Sequence, residues 1–406
     1  MSIRGNTRFT FYACYLGYVS QAIVNNFVPL LFLTFQDTFS LSLSQITLLT
    51  TVNFGIQLLV DLLSAGFIDR IGYRASAILA HVLIGLGLIG LTILPNCFSN
   101  PYTGLLAAIC LYAIGGGLTE VLISPIVEAC PGEGKAAAMS LLHSFYCWGH
   151  VFVVLLSTAF FVLFGTQCWT WLALVWAILP LGNALLFTQV PIYSLVETGE
   201  PGMRISELLR TRIFWVFMLL MLCAGASEQG MSQWASSFAE SGLHVSKTLG
   251  DLAGPCSFAA MMGLSRLLYA KFAHRLALSR AMALSAGLCV VCYLTSALSS
   301  QAVLGLIGCA LCGFSVGILW PGTFSMAAGV LRQGGTALFA LLALAGDLGC
   351  SSGPTTVGLA ASLMGGQLRS GLLLAILFPV LLLIGLWLYL RCCRKNSCRS
   401  KHSMLE

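Results

Sequence analysis

Long apolar segments alternate with short polar ones along the whole chain. Each apolar segment has about 20 residues or more, which is the length that an α-helix needs to cross the hydrocarbon core of a bilayer. The pattern predicts twelve spans, at 9–35, 43–68, 75–95, 102–129, 136–164, 169–190, 212–239, 248–270, 279–299, 302–328, 335–364 and 370–390. No sizeable soluble domain is left over.

The composition supports the same class. Of the 406 residues, 58% are hydrophobic and 8% are charged, and the mean hydropathy is +0.91. A soluble domain carries about a quarter charged residues. The 42 glycines suit helices that pack closely in lipid. We therefore expect an all-α membrane protein.

One long polar stretch divides the spans into two sets of six. It runs from Pro191 to Arg212. The predicted domains are an N-terminal six-helix half (1–190), a cytoplasmic central loop (191–211), a C-terminal six-helix half (212–390) and a basic cytoplasmic tail (391–406).

The basic residues are distributed unevenly between the two sides of the membrane. With the N-terminus in the cytoplasm, 18 of the 20 Lys and Arg residues fall on the inner side, including Arg266 at the inner end of the eighth span, and only Lys247 and Arg369 fall outside. We therefore expect a multi-pass protein of the cell (plasma) membrane with both termini cytoplasmic. The net charge of +6 is then a topology signal and not a nucleic-acid patch. The basic tail is expected to lie against anionic lipid headgroups.

An internal repeat supports the division into halves. In the fifth span His143 is followed six residues later by Gly149, and in the eleventh Asp347 is followed six residues later by Gly353. The offset is 204 residues, and a similar offset relates spans one and seven. These pairings fit two pseudo-symmetric halves related by an axis along the membrane normal.

The short loop between spans two and three carries an acidic–basic pair, a glycine and a second basic residue, which are Asp69, Arg70, Gly72 and Arg74. This order resembles the loop signature of the major facilitator superfamily. The resemblance implies that family's fold of 12 transmembrane helices in two halves. We expect a conformational role for the loop, because Asp69 can engage basic side chains and a helix N-terminus. The alternative is a simple turn with topology charges.

Three further matches resemble the fucose:proton symporter family within that superfamily. Glu120 stands five residues before Pro125 in span four, and Asn25 stands four residues before Pro29 in span one, where the fucose permease has a carboxylate. In span eleven, Asp347 precedes a Gly-Pro pair in a stretch typical of the family. The resemblance implies a secondary active transporter that moves a sugar by proton-coupled symport through alternating access.

Four of the acidic residues inside the predicted spans are candidates for function, because a charge there is costly and usually faces a cavity, a partner or a proton path. Glu120 and Glu228 are predicted to load and release the coupling proton. For Glu120 the alternative is a permanent pair with a polar group on a neighbouring helix, and Glu228 is also expected to contact the sugar. Asp347 is expected to bind solute or to pair with His143, and Asp61 is expected to be structural.

Amide and aromatic side chains at helical spacing indicate the solute site. Amides four residues apart point together into a bundle and can both donate to and accept from hydroxyl groups. Aromatic rings can stack on the apolar faces of a sugar. Interhelical hydrogen bonding and packing are the alternatives. The predicted substrate-binding residues are Gln21, Asn25, Asn53, Gln57, His143, Tyr146, Gln229, Gln233, Trp234, Trp320 and Asp347.

The predicted partners are a small polar solute of the sugar class, the lipid bilayer and H⁺, with Na⁺ as the alternative coupling ion. We expect a monomer with no cofactor and no metal. A proton-driven exporter of drugs or sugars and a solute-sensing receptor that moves nothing stay open as alternatives. An enzyme is disfavoured, because the sequence has no evident Ser-His-Asp, paired catalytic carboxylate or metal-spaced His set. Most of the 16 cysteines fall inside spans as small hydrophobes, whereas Cys97 and Cys168 fall in two outer loops where they could pair.

Overall fold

The structure is a computed structural model that describes residues 5–41, 43–193, 195, 203–232, 235, 254, 256–299, 301–364 and 368–402. At some helical positions, including 69, 70 and 392–402, it describes the backbone alone. The described residues are almost wholly helical, and no strand occurs among them. This confirms the predicted all-α class.

Sixteen α-helices follow one another along the described part of the chain. In unit order they are α1 (Thr7–Asn26), α2 (Phe32–Phe39), α3 (Leu43–Ile71), α4 (Tyr73–Cys97), α5 (Pro101–Ala129), α6 (Lys135–Phe164), α7 (Trp169–Gln189), α8 (Ile205–Arg210), α9 (Arg212–Ser232), α10 (Ser257–Phe272), α11 (Leu278–Leu298), α12 (Ala302–Val316), α13 (Leu319–Val330), α14 (Gly335–Leu363), α15 (Leu368–Ala375) and α16 (Leu377–His402).

Nine helical segments within the described residues are long and apolar enough to cross a membrane. They are Tyr73–Cys97, Pro101–Ala129, Lys135–Phe164, Thr166–Gln189, Arg212–Ser232, Leu278–Leu298, Val303–Val330, Gly335–Ala361 and Arg369–Arg391. The other three predicted spans correspond to α1, α3 and α10. Both α1 and α3 carry the predicted amide side chains, which lower their hydropathy.

Three predicted spans are broken into shorter helices, and the twelfth is divided between α15 and α16 at Ile376. In the first, α1 ends at Asn26, a 3₁₀ turn follows at Val28–Leu31, and α2 begins at Phe32. Pro29 lies in that turn, and a proline cannot donate the backbone hydrogen bond that a continuous helix needs. In the tenth, the chain leaves the α-helical course between α12 and α13, around Gly317.

The chain forms two compact units. Unit 1 comprises Met1–Gly202 with Gln333–Ala340, and unit 2 comprises Met203–Arg332 with Leu341–Glu406. In unit 1 a buried apolar cluster joins side chains of α1, α4, α5 and α7, and Ile23, Leu88 and Tyr112 are members. Lipid tails are as apolar as these side chains, so burying the side chains between helices gains little from the hydrophobic effect. Dispersion contacts among them are therefore the main source of packing energy.

A buried polar node also ties three helices of unit 1 together. His81 Nδ1 lies 2.8 Å from the carbonyl oxygen of Ala77 and therefore carries the proton that it donates. His81 Nε2 then accepts from Asn183 Nδ2 at 2.9 Å. The same Asn183 nitrogen donates to the carbonyl oxygen of Ala13, also at 2.9 Å. The side chains of α4 and α7 thus hold the backbone of α1 in place.

In unit 2, helices α9 and α14 approach until their backbones touch. A Cβ atom added at Gly349 would lie 2.0 Å from the carbonyl oxygen of Leu222. At Gly353 an added Cβ would lie 2.3 Å from the carbonyl oxygen of Ala226. Small residues at a helix interface are what permits such close packing in a membrane.

Candidate functional site

A row of amide side chains joins α1 to α3 inside unit 1. Gln21 Nε2 donates to Gln57 Oε1 at 2.7 Å. Gln57 Nε2 in turn donates to Asn25 Oδ1 at 3.0 Å, and Asn53 Nδ2 reaches the same oxygen at 3.4 Å. The spacing of four residues on each helix places the two pairs opposite one another. The structure therefore brings together four predicted substrate-binding residues.

Glu120 lies at one end of this row. Gln21 Nε2 donates to Glu120 Oε2 at 3.4 Å, which is a long bond. The helix that carries Glu120 comes close to the amides because Gly116, one turn earlier, has no side chain. A Cβ atom added at Gly116 would lie 3.1 Å from Gln21 Oε1. The predicted proton-coupling carboxylate and the predicted solute ligands thus form one hydrogen-bonded set.

Two acceptors in the row are buried without a hydrogen-bond partner among the described residues. They are Gln21 Oε1 and Asn53 Oδ1, and the two side chains are 1% and 5% exposed. Buried acceptors are costly unless a donor reaches them. Asn25 and Asn53 also line a pocket whose other walls are apolar, formed by Val24, Val28, Pro29, Leu49, Phe54 and Tyr112.

A second polar cluster lies beside the first and centres on His143. The hydroxyl of Tyr18 lies 3.0 Å from the hydroxyl of Ser124. His143 Nε2 lies 3.3 Å from the former and 3.2 Å from the latter. These three groups, from α1, α6 and α5, can pass a proton among them because each hydroxyl both donates and accepts.

Tyr18 and Ser124 were not among the predicted site residues, although the sequence carried a signal for both. Tyr18 precedes Gln21 by three residues and so shares its helical face. Ser124 follows Glu120 by four residues on α5, which is one helical turn. A polar residue one helical turn from a predicted ligand is thus itself a candidate site residue.

Tyr146 connects the two clusters. Asn25 Nδ2 donates to the hydroxyl of Tyr146 at 3.4 Å. The Tyr146 ring also meets the Tyr18 ring edge to face, with 6.5 Å between ring centroids. Seven of the predicted residues in unit 1 therefore lie in one region, in which hydrogen bonds join the members of each cluster and a ring contact joins the clusters: Gln21, Asn25, Asn53, Gln57, Glu120, His143 and Tyr146. Asp61 lies one turn further along α3 than Gln57 and is fully buried.

In unit 2, Glu228, a predicted proton-coupling residue, is paired with Arg266. The sequence had placed Arg266 at the inner membrane boundary. Glu228 Oε2 lies 3.6 Å from an Nη atom of Arg266, and both side chains are largely buried. Arg266 Nε donates to the carbonyl oxygen of Gly317 at 2.7 Å, where α12 gives way to α13. One guanidinium therefore joins α9, α10 and the break in the tenth span. The sequence signal for such a buried pair was a single Arg within an apolar segment, because a charge there needs a partner.

The other predicted residues of unit 2 are more dispersed. Gln229 lies on α9 next to Glu228 and is half-buried. Trp320 on α13 is buried, and a Cβ atom added at Gly346 would lie 2.2 Å from its ring. Asp347 follows Gly346 on α14 and is half-buried. Gln233 and Trp234 lie outside the described residues.

The loop between α3 and α4 uses its second basic residue as a helix cap. The two Nη atoms of Arg74 donate to the carbonyl oxygens of Phe187 and Val190 at 2.7 and 2.8 Å. These carbonyls terminate α7, which leaves them without intrahelical donors. Gly72 has a φ of +92°, a backbone conformation that favours glycine. Asp69 and Arg70 continue α3, and their side chains lie outside the described part.

The structure also bears on disulfide and metal sites. Cys97 and Cys168 are free thiols, so the pairing that the sequence left open is not formed. Across the described ranges, no group of three or more His, Cys, Asp or Glu side chains is placed to hold a metal ion.

Comparison with known proteins identifies the family. A family model described as Major Facilitator Superfamily matches residues 14–354. No curated protein sequence matches the chain. Among solved structures, FucP, an MFS transporter in the outward conformation, is similar with a TM-score of 0.80 at 17% identity, over 93% of this chain and 98% of that chain.

Two further solved structures show the same fold. A variant of the E. coli fucose:proton symporter FucP gives a TM-score of 0.78 at 18% identity, covering 93% of this chain and 98% of that chain. The MFS proton:xylose symporter XylE, bound to 6-bromo-6-deoxy-D-glucose, gives 0.78 at 12% identity, covering 94% and 95%. The chain thus belongs to the Major Facilitator Superfamily and is a multi-pass membrane transporter, not an enzyme.

Proposed function

We propose that this transporter carries a small, uncharged solute with several hydroxyl groups, of the sugar class, across the cell membrane by proton symport. The observation that carries the proposal is the amide row of unit 1, with its two unpartnered acceptors, Gln21 Oε1 and Asn53 Oδ1, beside Glu120. The two six-helix halves would expose this row alternately to the two sides of the membrane. Both termini are cytoplasmic in this proposal.

The chemistry of the row favours hydroxyl groups over charged groups. Four amides supply donors and acceptors without a net charge, and a sugar hydroxyl both donates and accepts. A hydroxyl that donates to Gln21 Oε1 or Asn53 Oδ1 removes the cost of a buried unpaired acceptor.

Glu120 is the proposed coupling group. Its carboxylate accepts from Gln21, and Gln21 also holds Gln57, so a change in the charge of Glu120 alters the donors that the row offers. Ser124 lies one turn away and bonds to His143 and Tyr18, which provides hydroxyl and imidazole groups for proton passage. Proton loading and solute binding would then be linked through one shared side chain, Gln21.

Two of the similar structures are sugar:proton symporters, which supports this proposal. FucP is named as a fucose:proton symporter, and XylE as a proton:xylose symporter. At identities of 18% and 12% these likenesses concern the fold. The solute and the ion of this chain therefore need a direct measurement.

The test is solute-induced pH change in proteoliposomes that contain the purified protein. Hexoses, deoxyhexoses, pentoses, disaccharides and polyols are added from outside, with and without Na⁺, and the external pH is followed. We expect alkalinisation with one sugar class and its loss in Glu120→Gln, with equilibrium exchange of the labelled sugar retained. Glu133→Gln is the matched control, because Glu133 is an exposed loop residue outside the site.

Other outcomes would replace the proposal. Uptake that requires Na⁺ and moves no protons would identify Na⁺ as the coupling ion. Acidification on solute addition, with competition between solute and proton, would indicate an exporter. Saturable binding of a sugar with no flux in either direction would indicate a receptor that retains the fold.

A further inference from the structure

Four buried thiols lie on two consecutive helices of unit 2, away from the site described above. Cys289 and Cys292 lie on α11, and Cys309 and Cys312 lie on α12. Each pair is separated by two residues, which places both of its thiols on one helical face. All four side chains are at most 2% exposed. The transport chemistry proposed above uses none of them.

Two contacts fix the register of the antiparallel α11–α12 pair. Cys289 Sγ lies 3.9 Å from Cys312 Sγ. Ser296 Oγ donates to the carbonyl oxygen of Gly305 at 3.1 Å. Moving seven residues along α11, from Cys289 to Ser296, therefore matches moving seven residues back along α12, from Cys312 to Gly305.

The same register brings the remaining two cysteines to the same level. Three residues forward from Cys289 on α11 is Cys292, and three residues back from Cys312 on α12 is Cys309, so these two cysteines face each other. A Cβ atom added at Gly308, the neighbour of Cys309, would lie 3.2 Å from the carbonyl oxygen of Cys292, in agreement with this register. The interface between α11 and α12 thus carries two successive levels of facing cysteines.

We infer that Cys289 and Cys312 are a redox modification site, at which a reversible disulfide joins α11 to α12. Bond formation requires the two sulfur atoms to approach from 3.9 Å to about 2.0 Å. Rotation of the two side chains can supply this movement. Cys292 and Cys309 form a second pair of facing thiols, about one helical turn away.

Charge decides between a disulfide and a bound metal at this place. Four thiolates around a divalent ion leave a net charge of about −2, and a buried charge in the hydrocarbon is costly. A disulfide is neutral and apolar, so it suits the buried interface. Thiols in the reduced state are also neutral, which makes both redox states compatible with the same packing.

The redox step balances with a lipophilic one-electron oxidant. Two S–H bonds break and one S–S bond forms, two protons are released, and the two electrons reduce two Cu(II) phenanthroline complexes to Cu(I). Such a complex can reach the helix pair from the lipid phase, because the outer faces expose apolar side chains such as Val291, which is 56% exposed, and Leu311, which is 39% exposed.

The experiment uses the full chain in lipid nanodiscs, treated with Cu(II) phenanthroline, quenched with a chelator and analysed under denaturing conditions. Intact mass reports the loss of two hydrogens. Chymotrypsin then cuts after Tyr293 and Leu311, so that a link between Cys289 and Cys312 appears as two joined peptides. The variant Cys292→Ser with Cys309→Ser keeps the pair, and Cys289→Ser with Cys312→Ser removes it. Cys14→Ser is the control, because Cys14 is a buried thiol in unit 1.

We expect the link in the parent, in Cys14→Ser and in Cys292→Ser with Cys309→Ser, with reversal by dithiothreitol. The joined peptides that contain residues 289 and 312 should be absent in Cys289→Ser with Cys312→Ser, which lacks both thiols. Unchanged mass in the folded parent, with links only after denaturation, would overturn the inference. Equal linking in all variants, or a persistent copper adduct without a link, would also overturn it. If a variant fails to fold, fragmentation of the joined peptides from the parent decides the matter, because it assigns the link to Cys289 or to Cys292, which lie in one chymotryptic peptide.

Discussion

Gln21 and Gln57 are joined by a hydrogen bond of 2.7 Å between the side-chain nitrogen of the first and the side-chain oxygen of the second. The bond links α1 to α3; Gln21 also donates to Glu120, and Gln57 also donates to Asn25. Because Gln57 donates to Asn25 while it accepts from Gln21, its removal would interrupt the row at its centre.

Replacement of Gln57 by Leu should therefore weaken solute binding. The change removes one hydrogen bond from Gln21 and one from Asn25, and each lost bond costs about 0.5–1.5 kcal/mol. We expect the half-saturating solute concentration to rise by roughly 10- to 100-fold in proteoliposome uptake. Asn96→Ala is the control, since Asn96 is exposed and bonds only within its own helix. Unaltered affinity in Gln57→Leu would remove the amide row from the solute site.

Replacement of Arg266 by Met should destabilise the protein strongly. The change leaves Glu228 buried without its partner and removes the donor to Gly317 at the α12–α13 break. Loss of one member of a buried ion pair typically costs about 3–5 kcal/mol. The midpoint of thermal unfolding of the detergent-solubilised protein should fall accordingly.

A second substitution separates the charge from the packing in this pair. Adding Glu228→Gln to Arg266→Met removes the uncompensated carboxylate and should restore most of the lost thermal stability. If the double variant is no more stable than Arg266→Met alone, the ion pair is not the cause of the destabilisation. The bond to Gly317 would then be the main contribution of Arg266.

Arg74 should contribute to stability through the end of α7. Arg74→Ala removes two charge-assisted hydrogen bonds, to Phe187 and Val190, and we expect a loss of about 1.5–3 kcal/mol. Arg74→Lys should recover only part of it, because an ammonium group cannot donate with the two-pronged geometry of a guanidinium. Arg8→Ala, at an exposed position, is the charge-matched control. Equal thermal midpoints for Arg74→Ala and Arg8→Ala would exclude the capping role.

The sequence predicted the helical class and the residues of the amide row, and the reason is local. Hydropathy over about 20 residues and a spacing of four residues are properties of a single helix. They predicted α4 to α7 closely and placed Asn53 and Gln57 on one face of α3. These features need no knowledge of which helices are neighbours.

The partners across helices could not be predicted in the same way. His81 and Asn183 are 102 residues apart and were not predicted to meet, because each is a single polar residue in an apolar segment. Arg266 was assigned to the membrane boundary, whereas it lies against Glu228 on α9. Such pairs depend on helix packing, which the positions of apolar residues along one helix do not specify.

Gly349 should tolerate no side chain, because it lies where α9 and α14 touch. The Cβ of alanine would stand 2.0 Å from the carbonyl oxygen of Leu222, and a backbone atom cannot move aside as a side chain can. Overpacking of this kind costs about 1–3 kcal/mol, and backbone contact favours the upper end.

Gly287→Ala on α11 is the same chemical change as Gly349→Ala, but we expect it to raise stability instead of lowering it. Nothing lies within 4 Å of a Cβ added at Gly287, so alanine only restricts the unfolded chain and should raise stability by about 0.5–1 kcal/mol. Thermal unfolding of both variants in one detergent should move the midpoint down for Gly349→Ala and up for Gly287→Ala. A shift of the same sign in both would mean that helix propensity, and not the α9–α14 contact, determines the effect at Gly349.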